Sequence, residues 1–185
     1  VLRAGETAEV IDVPGTYSLE ATSKAEEVAV DMLDGMLDEG DIVVNVVDAT
    51  HLERNLYLTL QLLERNVPVV VALNLWDETK HKGISINVDR LQEILGVPVI
   101  PTSALTGEGI DVLVNRISEV AKDASGKRKL SGDGKRPGAR SADERWAEIG
   151  RILAEVQKIT HRHHTFLDRL EDASIQPVTG LIIAI

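Results

Sequence analysis

Apolar residues along the chain fall into two kinds of run that differ in their spacing. Three continuous runs rich in β-branched residues occupy residues 41–49, 67–75 and 97–104, as is typical of strands that are covered on both faces of a sheet. A shorter apolar run at residues 8–13 predicts a further strand, the first in the chain. We therefore expect a sheet of several short, aliphatic strands.

Helices are predicted between and after these strands. Large apolar residues recur every three or four positions in residues 25–39, 52–65, 88–95 and 109–122, which is the spacing of one buried helical face. Strands that alternate with helices predict an α/β fold with a mostly parallel sheet. Ligands bind such sheets at the carboxyl ends of the strands.

The composition of the chain changes after residue 122. The next segment is rich in Gly, Ser, Lys and Arg without an apolar period, so it predicts a linker that is solvated or that contacts anionic lipid headgroups or an acidic partner. Ser141 and Glu144 then have the spacing of a capping box. The helix that they begin is predicted to reach about Leu170, with Trp146 in its core. We expect a partial α/β domain, a linker, a helical domain and the start of a membrane-proximal segment at residues 1–122, 123–140, 141–174 and 175–185.

Bulk composition excludes several classes of protein. The 185 residues carry a net charge of −10 and no cysteine, which argues against a nucleic-acid binder that relies on a positive field and excludes a disulfide framework. No apolar run reaches the roughly 20 residues of a membrane span. Because the chain begins at Val1 and stops within the apolar run at residues 180–185, we expect a fragment of a longer protein.

The first candidate site follows the first predicted strand. Asp12 ends this strand and Gly15 follows it as D-x-x-G. A carboxylate there can hold Mg²⁺ directly or through water, and a glycine lets a backbone N–H approach a phosphate oxygen. An aspartate that merely caps a turn is the alternative.

The second candidate site follows the third and fourth predicted strands, at Asn74 and Asp77 and at Ser103 and Ala104. An aspartate can accept hydrogen bonds from the N1–H and 2-amino groups of guanine, a donor pair that adenine lacks. Asn74 can bond the base and brace neighbouring loops, and a backbone N–H at Ser103 or Ala104 can reach the guanine oxygen. An ordinary strand-end turn is the alternative for N-x-x-D alone, but three motifs in order at strand ends favour a nucleotide site.

The same motifs carry a family resemblance. The stretches DVPGTYSL (12–19), NVVDATHLERNLYLTLQLLE (45–64) and ALNLWDE (72–78) resemble the cytoplasmic G domain of the ferrous iron transport protein B family. The resemblance is strongest over residues 5–122. It implies a P-loop GTPase-like fold with a mostly parallel sheet, followed by a small helical domain.

The resemblance implies GTP or GDP and Mg²⁺ as cofactors. By it, Asp12 would hold Mg²⁺ through water, Gly15 would sense the γ-phosphate, and the switch would run from Thr16 to about Lys24. Tyr17 stands close to where many GTPases carry a water-positioning glutamine, so we expect slow intrinsic hydrolysis. The switch residues nearest the reaction would be Gly15, Thr16 and Tyr17, and the implied nucleotide-binding residues are Asp12, Gly15, Asn74, Leu75, Asp77, Ser103 and Ala104.

The implied parent protein is a transporter that hydrolyses GTP at the cytoplasmic face of the cell membrane and couples hydrolysis to Fe²⁺ passage. The phosphate-binding motif G-x-x-x-x-G-K-[ST] does not occur in the sequence. We therefore expect an incomplete G domain without its first strand and P-loop, which is inactive by itself and which rearranges or oligomerises. The expected partners are guanine nucleotide, the N-terminal and transmembrane parts of the same transporter and further copies of the chain, not nucleic acid.

Two other functions stay open. A GTPase-like interaction module without hydrolysis is favoured by the missing phosphate-binding motif. A GTPase of the ribosome-assembly or tRNA-modification type is disfavoured by the acidic charge and by the apolar C-terminal end.

Weaker candidate sites lie elsewhere in the chain. His161 and His164 have the spacing of a metal pair on a helix, with His163 between them, although an exposed polar helix end explains them more simply. Asp48 is expected to begin a helix rather than to face the switch.

Overall fold

A computed structural model describes residues 8–20, 24–37, 41–65, 67–128 and 140–160. The predicted histidine site and the membrane-proximal segment lie outside these ranges. Within the described part of the chain, no helix combines the length and the apolar composition needed to cross a membrane.

The described residues form an α/β fold in which the predicted strands and helices mostly appear. A short 3₁₀ turn at Ala49–His51 joins the first strand to the second helix. The elements, in chain order, are α1 (Lys24–Leu37), β1 (Val43–Asp48), α2 (Leu52–Glu64), β2 (Val69–Asn74), α3 (Trp76–His81), β3 (Ile84–Ile86), α4 (Val88–Leu95), β4 (Val99–Pro101), α5 (Ile110–Arg128), α6 (Ala142–Val156) and β5 (Gln157–Ile159).

Local sequence signals set several helix ends. The Asn87 side chain accepts a hydrogen bond from the Arg90 amide at the start of α4, and Gly96 ends this helix at a φ of 68°. Ser141 and Glu144 form the predicted capping box at the start of α6. These contacts satisfy backbone groups that a helix end leaves unpaired.

The main sheet has three parallel strands in the order β1-β2-β4. Val47 of β1 lies beside Leu73 of β2, and Val71 of β2 lies beside Val99 of β4. These side chains share one face and belong to the main apolar core. The mostly parallel α/β fold is thus confirmed.

The opposite face of the sheet is only partly covered. Helix α5 packs against β2 on this face, where Val70 and Ile100 are buried. Val44 and Val46 of β1 point the same way but are 37% and 61% exposed. The expectation that this strand is covered on both faces is wrong, because no described element packs over its outer half.

Helix α6 forms a further layer on the core side. It packs against α2 and α4, and its Ile149, Ile152 and Val156 join the main core. The chain then continues as β5, which pairs antiparallel with β3. The second sheet therefore ties the end of α6 to the loop before α4.

Three expectations about chain organisation need correction. The predicted strand at residues 8–13 is irregular, with Val10 91% exposed, because no described strand is available to pair with it. Helix α5 continues to Arg128, six residues into the predicted linker. Helix α6 ends at Val156 rather than near Leu170, because the next three residues pair with β3.

Trp146 was expected in the core of the helical tail but is 45% exposed. Its ring packs instead on Tyr57 of α2, with 5.0 Å between the ring centroids. The division of the chain into domains at residues 1–122, 141–174 and 175–185 stays a prediction.

Candidate functional site

The strand ends converge at the carboxyl edge of the parallel sheet, as the sequence predicts. Asp48 and Asn74 are paired in register at the ends of β1 and β2. The Thr102 amide, just after β4, donates to the Leu73 carbonyl (2.9 Å). Side chains from three successive parallel strands are therefore available to one ligand.

The turn after β2 has an unusual backbone. Leu75 has a φ of 58°, a left-handed conformation that costs a non-glycine residue about 1–2 kcal/mol. Bonds on both sides hold it: Asn74 Oδ1 accepts from the Ala104 amide (3.1 Å), and the Trp76 amide donates to the Thr102 carbonyl (3.1 Å). The turn is thus cross-linked to the loop after β4, and Asn74 is a brace between them.

Asp77 lies in the first turn of α3. Its Oδ1 is buried, and among the described residues it has no hydrogen-bond partner. An unpaired buried polar atom costs about 1–3 kcal/mol, and more when it is charged. This oxygen is therefore a strong candidate to accept a hydrogen bond from a ligand.

The loop after β4 is closed on itself. The Ser103 amide donates to the Glu108 carbonyl (3.0 Å), and the Gly107 amide donates to the Ser103 carbonyl (2.8 Å). A side chain at Gly109, whose φ is 77°, would overlap the Pro101 carbonyl oxygen. The amides of Ser103 and Ala104, which were expected to reach a base, both have protein partners in this structure.

A cleft of about 470 Å³ opens beside these turns, at the edge of the sheet. It brings together residues from the segment after Asp12, from the end of β1, from α2 and from the turn after β2. They are Gly15, Thr16, Tyr17, Val46, Asp48, Asn55, Asn74 and Leu75. Five of the predicted site residues thus share one cleft, while Asp12, Asp77, Ser103 and Ala104 do not line it.

The segment after Asp12 contributes backbone and aromatic groups. Asp12 itself is exposed. A Cβ at Gly15 would meet no atom of the described residues within 4 Å, so the described part of the fold does not require a glycine there. The Tyr17 ring is stacked under the Arg54 guanidinium, 3.6 Å from the ring centroid, which holds this half-exposed ring at the mouth of the cleft.

Asp48 begins the helical turn after β1, as expected. Its carboxylate accepts from the Thr50 amide (2.7 Å) and pairs with His51 Nδ1 (2.8 Å). Partial burial alone would raise the pKa of Asp48, but the hydrogen bonds from His51 and Thr50 hold it below its ordinary value.

Sequence reasoning assigned no ligand role to Asp48 and missed Val46 and Asn55 as lining residues. Asn55 donates to the His51 carbonyl (2.9 Å) and sits on α2, whose helical period predicts burial but not which polar side chain faces a cleft. The exposure of Val46 on an apolar strand could be found only from the three-dimensional arrangement.

Comparison with known proteins decides the family. A family model described as ferrous iron transport protein B matches residues 1–117, more than half of the chain. The chain belongs to the ferrous iron transport protein B family. The resemblance carried by the motifs at the strand ends is therefore confirmed.

Curated relatives from this family are much longer than the chain. The Fe(2+) transport protein A/Fe(2+) transporter FeoB fusion protein of Porphyromonas gingivalis is 45% identical over 112 residues, which are 60% of this chain and 13% of that protein. The Fe(2+) transporter FeoB of Helicobacter pylori is 48% identical over 99 residues, 54% of this chain and 15% of that protein. The chain thus spans about one seventh of these transporters.

Solved structures from the ferrous iron transport protein B family share the fold. The FeoB G-domain from Methanococcus jannaschii is 50% identical, with a TM-score of 0.58 over 61% of this chain and 71% of that chain. The cytosolic domain of L. pneumophila FeoB is 34% identical, with a TM-score of 0.65 over 80% and 77%. The cytosolic domain of the T. maritima FeoB iron transporter in a GDP form is 27% identical, with a TM-score of 0.62 over 80% and 78%.

Proposed function

We propose that this chain binds the base of a guanine nucleotide at the carboxyl edge of its parallel sheet, as part of the GTP-hydrolysing G domain of a ferrous iron transporter. The observation that carries the proposal is the buried Oδ1 of Asp77, which has no hydrogen-bond partner in the described part of the chain. The GDP form of the T. maritima relative, which shares the fold, supports the choice of nucleotide.

Asp77 and the braced turn form the base site. A guanine ring over Leu75 presents its N1–H and 2-amino donors to the Asp77 carboxylate, so that Oδ1, which no described residue contacts by a hydrogen bond, gains a partner. Such charge-assisted bonds are worth about 1.5–3 kcal/mol each. Asn74 keeps the turn in place through Ala104, and the Ala104 amide can turn to share its hydrogen with the guanine oxygen.

Gly15 and its neighbours form the phosphate side of the site. The open space around Gly15 lets its N–H approach a γ-phosphate oxygen without a side chain in the way. Asp12 supplies a single exposed carboxylate, which fits Mg²⁺ held through water because this ion keeps most of its waters. Bound Mg²⁺ would offset phosphate charge, and Asp12 would orient its hydration shell.

Hydrolysis in the parent protein is expected to be slow. Tyr17 faces the cleft where many GTPases place a glutamine, and its ring is stacked on Arg54. Its single hydroxyl does not present a separate carbonyl acceptor and NH2 donor, as the glutamine carboxamide does, so it is less suited to orient an attacking water.

Base selectivity is tested by titrating the chain with fluorescent GDP and GTP analogues in Mg²⁺, up to millimolar nucleotide, with an ATP analogue as a control. We expect guanine-selective binding. Asp77→Asn should weaken guanine binding by about 3 kcal/mol, roughly a hundredfold. The same variant should favour xanthine nucleotide, because the asparagine amide can donate to the carbonyl that replaces the 2-amino group.

Asp89→Asn is the matched control, because Asp89 is an exposed aspartate in the first turn of the neighbouring helix α4. It should leave both affinities unchanged. Equal binding of guanine and adenine analogues, or guanine binding that survives Asp77→Asn, would contradict the proposed base site. Absence of any binding would favour an interaction module instead.

Coupling to iron is tested in the parent protein. Asp77→Asn introduced into a full-length transporter should lower GTP-dependent Fe²⁺ uptake, and xanthosine triphosphate should restore uptake in membrane vesicles. Uptake that does not depend on either nucleotide would separate this site from transport.

A further inference from the structure

The strongest feature that the proposed site does not use is a buried polar cluster at the end of the segment Gly15–Glu20, called the phosphate-sensing segment below. The Leu19 amide donates to Gln61 Oε1 on α2 (2.7 Å). Gln61 Nε2 in turn donates to the Glu20 carboxylate (3.2 Å). Gln61 is 5% exposed, so its bond to the Leu19 amide is buried, whereas its bond to Glu20 is only partly so.

Arg145 of α6 completes the cluster from the far side. One terminal nitrogen donates to Glu20 (3.0 Å) and to the Tyr57 hydroxyl (3.1 Å), while its Nε donates to both oxygens of Glu64 (3.1 and 3.2 Å). The Tyr57 hydroxyl also donates to Glu20 (3.3 Å). One arginine thus joins α6, α2 and the phosphate-sensing segment.

The two carboxylates around Arg145 have different surroundings. The Arg145 side chain is 7% exposed and that of Glu64 is 12% exposed, whereas that of Glu20 is 61% exposed. Burial alone would lower the pKa of Arg145, but Tyr57 and Glu64 hold it above its ordinary value. Glu64 therefore neutralises the buried guanidinium. Removal of Glu20 consequently does not leave Arg145 as an unpaired buried charge.

We propose that Gln61 and Arg145 are positioning residues that hold the phosphate-sensing segment at Leu19 and Glu20, and so set where Gly15 stands relative to the nucleotide. The effect on nucleotide binding rests on the proposed function, whereas the anchor at Leu19 and Glu20 does not. Four residues separate Gly15 from the anchor at Glu20, so fixing Glu20 limits how far Gly15 can move from the cleft. Without the anchor, Gly15 loses the preorganisation that a γ-phosphate contact needs.

The anchor is tested with Glu20→Ala, which removes an exposed side chain and leaves the Arg145–Glu64 pair intact. Glu93→Ala is the matched control, because Glu93 is one of two exposed glutamates that pair with Arg90, and Glu155 remains in place. Hydrogen exchange of the Leu19 amide is measured on the whole chain without nucleotide. We expect exchange at least tenfold faster in Glu20→Ala, because Glu20 accepts hydrogen bonds from Gln61, Tyr57 and Arg145 and losing even one charge-assisted bond corresponds to about tenfold, and unchanged exchange in Glu93→Ala.

The nucleotide readout separates positioning from a merely structural role. Because GDP has no γ-phosphate, Glu20→Ala should weaken a non-hydrolysable GTP analogue about fivefold or more while GDP affinity stays within twofold, measured under conditions in which both variants are fully folded. Equal Leu19 exchange in the two variants, or equal losses for both nucleotides, would overturn the inference. If the unmodified chain binds no guanine nucleotide, the proposed function fails and Leu19 exchange alone decides whether the anchor exists.

Discussion

Replacing Gly109 by alanine should destabilise the loop that braces the proposed base site. Gly109 has a φ of 77°, and an added Cβ would overlap the Pro101 carbonyl oxygen and lie 3.1 Å from the Pro101 carbonyl carbon. The left-handed conformation costs alanine about 1 kcal/mol. Relieving the overlap requires the backbone to move, with the loss of about one or two hydrogen bonds near Ser103, so the total is about 2–4 kcal/mol.

Two other glycines separate these contributions. Gly107 also has a positive φ of 81°, but a Cβ there meets no atom of the residues that the structure describes within 4 Å. Gly107→Ala should therefore cost only the conformational part, about 1 kcal/mol. Gly150 is an exposed glycine inside α6, and an added Cβ there meets none of the described atoms within 4 Å. Gly150→Ala should therefore stabilise the chain by about 0.5–1 kcal/mol.

The free energy of unfolding of the three variants is measured by urea titration, with tryptophan fluorescence as the signal. For a chain of this size, 1 kcal/mol corresponds to a shift of about 2–4 °C in Tm. Gly109→Ala should also weaken guanine binding, because the Asn74–Ala104 brace belongs to the same loop. The reasoning is refuted if Gly109→Ala and Gly107→Ala lose the same stability, or if Gly150→Ala destabilises.

Two further predictions concern the end and the open face of β1. Asp48→Asn should lower stability by about 0.5–1 kcal/mol at neutral pH. Because the folded-state pKa of Asp48 lies below the ordinary value of 3.8, the stability difference between the two chains should persist above pH 3.8 and shrink as the pH falls through the folded-state pKa. Urea titrations that show a pH-independent difference would argue against this. Val46 is 61% exposed beside a strand edge that no described strand pairs. The chain should therefore self-associate with rising concentration, and Val46→Lys should reduce the self-association. Sedimentation of the unmodified chain as a monomer at all concentrations would count against that expectation.

The elements that the sequence predicts well are those whose signal is local. The apolar run around β2 and the leucine period of α2 required no knowledge of their neighbours, and both elements are where they were expected. The same holds for the capping box of α6. Backbone capping and the spacing of apolar side chains act within a few residues, so sequence alone reports them.

The elements that the sequence predicts badly depend on distant partners. Residues 8–13 have strand composition but no described strand beside them, and residues 157–159 become a strand only because β3 lies within reach. Arg145 looks like a solvated position on a helix but is buried. Its burial requires Glu64 and Tyr57, which are more than 80 residues away in the sequence.

The sequence by itself determined the α/β class, the order of the motifs at the strand ends and the family, because each rests on residue types at fixed spacing. Only the tertiary structure decided that Asp77 has a buried oxygen without a partner among the described residues, that the side-chain oxygen of Asn74 bonds the neighbouring loop, and that Arg145 of α6 contacts Glu20. Burial and hydrogen-bond partnership are properties of contacts between distant segments, and these contacts exist only once the layers have packed.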